Sequence, residues 1–170
     1  MTSRLPDNSG FTLIEMIVTI VVLSVVGFVT IVYVANTAET YAGLRNRRDA
    51  DAESMAVVQA MRRETRALQT ITLANAARVT FVTRQNVTND FRRNAAQRTI
   101  LHGGNLLASD AAQFTLSYYN ATNGLLTPLP LSAANRDLVR RIALDLTIAK
   151  GDQSAAWSVN FFAPTAGVMK

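Results

Sequence analysis

Few residues in this 170-residue chain have the chemistry for catalysis, and their spacing limits them further. There is no cysteine, so thiol nucleophiles, disulfides and zinc–cysteine sites are excluded. His102 is the sole histidine, which rules out a multi-histidine metal site and leaves any Ser-His-Asp triad dependent on it. Its place before Gly103-Gly104 suits a strand end or loop. That glycine pair lacks the spacing and the following Lys-Ser/Thr of a phosphate loop. Asp145 and Asp152 flank a turn, but two acids without a surrounding cluster make a poor calcium site. Arg92, Arg93 and Arg98 form the densest basic group and are the candidates for gripping phosphate. Glu15 remains, a carboxylate placed where an apolar helix begins. No catalytic residue, cofactor or metal is expected. Of the enzyme classes, only a hydrolase built from Asp and Glu stays open.

The elements that carry these residues differ sharply in composition. Hydrophobic residues make up 49% of the chain, and the net charge is +5. Residues 16–35 contain no charge at all. As a helix they rise about 30 Å, the thickness of a bilayer's hydrocarbon core. β-Branched residues dominate the segment. They disfavour a helix in water, but in lipid the backbone must satisfy its own hydrogen bonds, and the helix wins. A cleaved secretory signal has a shorter apolar core, so a membrane anchor fits better. Arg4 and Asp7 precede the span, whereas Arg45, Arg47 and Arg48 follow it. By the positive-inside rule these flanks favour a cytoplasmic C-terminal domain.

Beyond the span, residues 37–72 continue as good helix formers with no Pro or Gly cluster. Tyr41, Leu44, Met55, Val58, Met61, Thr65 and Leu68 recur at three- and four-residue steps, an amphipathic stripe for core packing. From Arg78 the period changes to two. Strands are expected around 79–83, 114–118, 142–149 and 157–161, with short runs at 98–102 and 105–108 flanking Gly103-Gly104. Residues 149–153 read as a second hairpin loop and 120–124 as a turn. Leu129, between Pro128 and Pro130, is excluded from a central strand. Arg92 and Arg93 fall in an expected basic loop. A helix followed by a run of strands is α+β, with one antiparallel sheet laid on the helix.

Gly10-Phe11-Thr12-Leu13-Ile14-Glu15, after a short polar leader and before a continuous apolar helix, resembles the processing motif of type IV prepilins and type II secretion pseudopilins. The resemblance implies that prepilin peptidase cuts between Gly10 and Phe11 and methylates the new amine of Phe11. It implies that Glu15 serves assembly, and that the C-terminal domain lies in the periplasm, opposite to the charge bias. It implies an inner-membrane, single-pass protein that passes into a pilus or pseudopilus. Its partners would be other major and minor pilins or pseudopilins, the inner-membrane assembly platform and membrane lipid. Val32 stands where major pilins often carry proline, a proline that minor pilins and pseudopilins more often lack. The stretch 114–151, with Tyr118-Tyr119-Asn120-Ala121 before Gly124 and then Arg140-Arg141-Ile142, further resembles minor pilins of the W class and pseudopilins of the J class. That implies a place at or near a filament tip.

The expected layout is a leader at 1–10, a transmembrane or filament-core helix at 11–36, its amphipathic continuation at 37–72, and an antiparallel sheet domain at 73–170. The reading is a non-enzymatic, pilin-like α+β subunit. The alternative is a pilus-associated module that holds DNA or a surface through an arginine-rich face of the sheet domain. Nucleic acid is the less favoured partner, because acids interrupt the arginines along the chain.

Overall fold

A computed structural model describes residues 12–163. It divides into two compact units, Met1–Ala42 and Gly43–Lys170. The elements run α1 (Leu13–Arg66), β1 (Leu68–Ala74), β2 (Arg78–Thr83), β3 (Thr88–Asn94), β4 (Thr99–His102), β5 (Asn105–Ala108), β6 (Ala111–Tyr119), α2 (Ala133–Asp137), β7 (Arg141–Lys150) and β8 (Gln153–Phe162).

The first unit is the apolar part of α1. Thr12 caps it: its carbonyl accepts from the Glu15 and Met16 amides at 3.1 Å each, and its hydroxyl oxygen lies 3.4 Å from the Glu15 nitrogen. A carboxylate in this first turn is favoured by the helix dipole. Polar side chains further along are satisfied within the helix. The hydroxyls of Thr19, Ser24 and Thr30 donate to the carbonyls of Glu15, Ile20 and Val26 at 2.7, 2.8 and 2.8 Å. Such back-bonds let a hydroxyl sit in hydrocarbon without an unmet donor. The helix is apolar on every side and, over its most apolar window, unburied, with mean hydropathy 2.8. Among the described residues it is the one helix long and apolar enough to cross a membrane.

The second unit carries the core. The end of α1 buries Ala50, Ser54, Val57, Val58, Met61 and Thr65. This corrects the expected stripe: Leu44 and Met55 are exposed, and small residues take the buried places. Ser54 and Thr65 can be buried because their hydroxyls donate to Ala50 and Met61 carbonyls at 2.8 and 2.7 Å. The helix expected to reach residue 72 ends at Arg66 instead, and Leu68–Ala74 is β1. Thr70, Ile71 and Thr72 are β-branched in succession, and Leu68, Ile71 and Ala74 are buried in a bulged strand paired with β2. The sheet region therefore starts five residues earlier than position 73.

The single expected sheet is two antiparallel meanders. One has the order β1-β2-β3-β4-β5 and the other β6-β7-β8. The break lies at Ser109 and Asp110. The Ser109 amide donates to the Glu53 carboxylate at 2.7 Å, and Asp110 turns the chain at φ 54°. The Ala111 amide then donates to the Arg98 carbonyl at 2.7 Å, and the strand leaves with β7 as its partner. Phe81, Phe91, Ile100, Leu116, Tyr118, Ile142, Leu144, Leu146 and Ile148 fill the core. The expected hairpins at 103–104 and 151–152 are present, with positive φ at Gly103, Gly104 and Gly151.

Candidate functional site

The processing and assembly residues expected from the sequence fall at and just before the start of α1. Gly10 and Phe11 fall outside the described residues. Glu15 is described: it sits in the first turn, exposed, and no described residue pairs with its carboxylate. Around it Leu13, Ile14, Met16, Ile17 and Val18 are also exposed, from 54% to 80%. An ionised carboxylate ringed by such side chains is tolerated at a membrane boundary. At mid-span it would cost about 2.5–3.5 kcal/mol on insertion scales. Chemically its carboxylate is a hydrogen-bond and ion-pair acceptor with no cation beside it among the described residues.

The structure separates the three candidate arginines. Alternation puts Arg92 and Arg93 on opposite faces of β3, a strand rather than the expected basic loop. The strand is hard to read from sequence because Phe91 is its only large apolar residue. Arg92 lies on the face of Asp90, 3.9 Å from its carboxylate. Asp90 is already held by Arg78 at 2.7 Å and by the Thr80 hydroxyl at 2.9 Å. Arg93 donates to the Ala111 and Ala112 carbonyls at 3.0 and 2.8 Å, tying β3 to β6. Arg98 is a turn residue at φ 51°. Arg92 and Arg93 thus point to opposite faces of one strand, and Arg98 lies in the following turn.

His102 ends β4, stacked on Phe91 with centroids 4.2 Å apart, its Nε2 2.8 Å from Asn89 Oδ1. Asp145 faces Ser158 in mid-strand, while Asp152 lies in the β7–β8 turn; the two acids are not brought together. Among the described residues no group of three His, Cys, Asp or Glu could hold a metal.

Two clusters escaped the sequence reading. Lys150 Nζ lies 2.8 Å from Glu53, 3.0 Å from Asp110 and 2.6 Å from the Ser109 hydroxyl, which joins α1, the β5–β6 junction and β7. The hydrogen bond from Lys150 holds the Asp110 carboxyl below its usual value. Burial works against the Lys150 charge, but hydrogen bonds to Glu53 and Asp110 outweigh it and raise the ammonium's pKa. At the other end of the second sheet, Arg141 lies 3.7 Å over the Tyr119 ring and donates to Asn160 and Asn123 at 2.6 Å each. Residues 53, 110 and 150 are so far apart in sequence that no local pattern announces their meeting.

Residues 5–31 match the family model of the prokaryotic N-terminal methylation motif. No curated protein and no solved structure matches the chain. The matched residues enclose the Gly10–Glu15 motif and most of the apolar stretch, so the chain carries a type IV prepilin-like leader, the mark of a pilin- or pseudopilin-like precursor.

Proposed function

We propose that the protein is a minor pilin or pseudopilin: a structural subunit, not an enzyme, of a type IV pilus or type II secretion pseudopilus. Prepilin peptidase removes residues 1–10 and methylates Phe11. The helix from Phe11 to about residue 36 holds the precursor in the inner membrane with the sheet domain in the periplasm, and later packs in the filament core. The observation that carries this reading is Glu15, a carboxylate with no partner among the described residues, inside a matched methylation motif at the head of an apolar, unburied helical stretch. The resemblance of residues 114–151 to W- and J-class subunits supports a place at or near the tip.

The mechanism is charge pairing at assembly. Cleavage creates an ammonium on Phe11, and methylation leaves it charged. In a bundle of apolar helices the local dielectric is low, so Glu15 of one subunit gains by meeting the Phe11 ammonium of its neighbour. A single buried polar contact of this kind sets axial register, as one polar residue does in a coiled coil. Glu15→Leu should insert in the membrane at the wild-type level and be cleaved, yet reach filaments at least about tenfold less, the effect of about 1.4 kcal/mol. Immunoblots of membrane and sheared-filament fractions measure this. Wild-type incorporation of Glu15→Leu contradicts the pairing role.

A further inference from the structure

The two sheets have four outer edges, of which two carry further bonds and a third is short. Beside β1, the Leu131 amide donates to the Ala74 carbonyl at 2.9 Å, and two register shifts bend the strand. Beside β6, the Leu116 amide bonds Ala76 and the Ala111 amide bonds Arg98, each at 2.7 Å, and Arg93 takes two more carbonyls. The strand β5 is four residues long.

The fourth edge, β8, has none of these protections. It is ten residues long and pairs with β7 at ten consecutive positions without a register shift. Its sequence, QSAAWSVNFF, contains no charge and no proline. Among the described residues no main-chain hydrogen bond reaches its outer side. An antiparallel edge strand turns roughly half its amides and carbonyls outward. Folded proteins blunt such edges with charges, proline, bulges, short length or a cover, because a bare edge invites another strand. On its inner face, Trp157 and Val159 are only half covered in mid-strand, between buried Ala155 and Phe161. On its outer face Phe162 is 74% exposed, opposite Arg141, which is fixed on Tyr119. Aromatic and arginine side chains of this kind anchor interfaces.

We propose that β8 is a docking edge, paired in the assembled filament with an extended segment of a different subunit. The segment would alternate apolar and uncharged side chains, to continue the Ala155–Trp157–Val159–Phe161 row, and would gain its affinity from main-chain hydrogen bonds. This rests on the filament-subunit reading above. Within a filament, copies of one chain meet head to tail, so a second copy would need a different free edge to offer. Among the described residues the edges of β1 and β6 are bonded and β5 spans four residues, so none offers a free edge matching the ten-residue length of β8, and the strand is assigned to another protein.

The test compares amide exchange over residues 153–162 in the full chain, solubilised in detergent and assembled in filaments from its native cells. It is joined to two lysine variants on the solvent face of the same sheet. Ser158→Lys charges the edge, and Thr115→Lys places the same charge on β6, away from it. The expected result is exchange in β8 slowed about tenfold or more on assembly. Ser158→Lys should also fall at least about tenfold in filament incorporation, with its precursor level and Thr115→Lys unchanged. Equal incorporation of both variants with wild type, or β8 exchange unaltered by assembly, overturns the docking edge while leaving the pilin reading intact. Slow exchange already in the solubilised chain would mean the edge is closed internally, and also overturns it. Because the chain has no cysteine, Ser158→Cys gives a further check: a disulfide-linked homodimer would assign the edge to a second copy instead. Wild-type chain absent from every filament fraction would defeat the pilin reading itself.

Discussion

The two units of this chain follow opposite rules of burial. In the first, large apolar side chains from Leu13 to Val34 stand exposed around the helix, and the hydroxyls at Thr19, Ser24 and Thr30 bond back to their own helix. In the second, residues of the same types such as Phe81, Phe91, Ile142 and Leu144 are buried in a core, and polar groups reach across elements to partners such as Glu53, Asp110 and Lys150. The first unit holds its helix by local bonds and leaves its surface for lipid or for neighbouring helices. The second spends its apolar surface on itself. The packed core thus lies in the second unit, while the first is held by bonds local to its own helix.

Substitutions can break or sharpen that division. Chemical unfolding of the full chain in detergent, followed by the fluorescence of Trp157, the sole tryptophan, reads the second unit. Phe81, fully buried, should show the largest effect: Phe81→Ala should destabilise by about 3–5 kcal/mol through lost burial and a cavity. Loss below about 1 kcal/mol would mean that the core is not where the contacts place it.

Lys150→Ala comes next, at about 1–3 kcal/mol, because it leaves two carboxylates facing each other without their cation. Its pH dependence is specific. Asp110 has a lowered pKa, so its share of stability is present above 3.8 and lost as pH falls through the folded value. Lys150 has a raised pKa, so its share is present below 10.5 and lost as pH rises through the folded value. The gap between wild type and Lys150→Ala should be full between those limits and close beyond both. A gap independent of pH would assign the loss to packing alone.

Tyr118 is buried, its hydroxyl donating to the Asn75 carbonyl at 2.9 Å, and burial raises its pKa. Tyr118→Phe should cost about 1 kcal/mol in the same unfolding measurement. Smallest of all is Glu15→Leu, within about 0.5 kcal/mol of wild type in the unfolding of the second unit. A larger change would abolish the division between the units.

The same division governs what could be read from the sequence. The apolar span and the Gly10–Glu15 motif are legible because they answer to local rules: charge exclusion, length and a contiguous run of residues. Regular alternation reveals β7 and β8, where Ile142, Leu144, Leu146 and Ile148 all turn inward. It fails for β3, whose inner face includes Asn89 and Arg93, which bond His102 and the Ala111 and Ala112 carbonyls rather than apolar neighbours. It also fails at β1, where a bulge breaks the period and the three- and four-residue spacing runs on through Thr65 and Leu68. The split into two sheets depends on Glu53 capturing Ser109 across a sequence separation of 56, which no window on the sequence contains. The arginines at 92, 93 and 98 are dense in sequence but divided by the pleat, so linear density overstates their capacity to bind a phosphate chain.

The central claim is that the leader is removed and the new terminus modified. Intact mass and N-terminal sequencing of the protein extracted from its native membrane test it directly. The account predicts a chain that begins at N-methylated Phe11. A chain that still begins at Met1, in cells with an active prepilin peptidase, would contradict it and leave a plain membrane anchor.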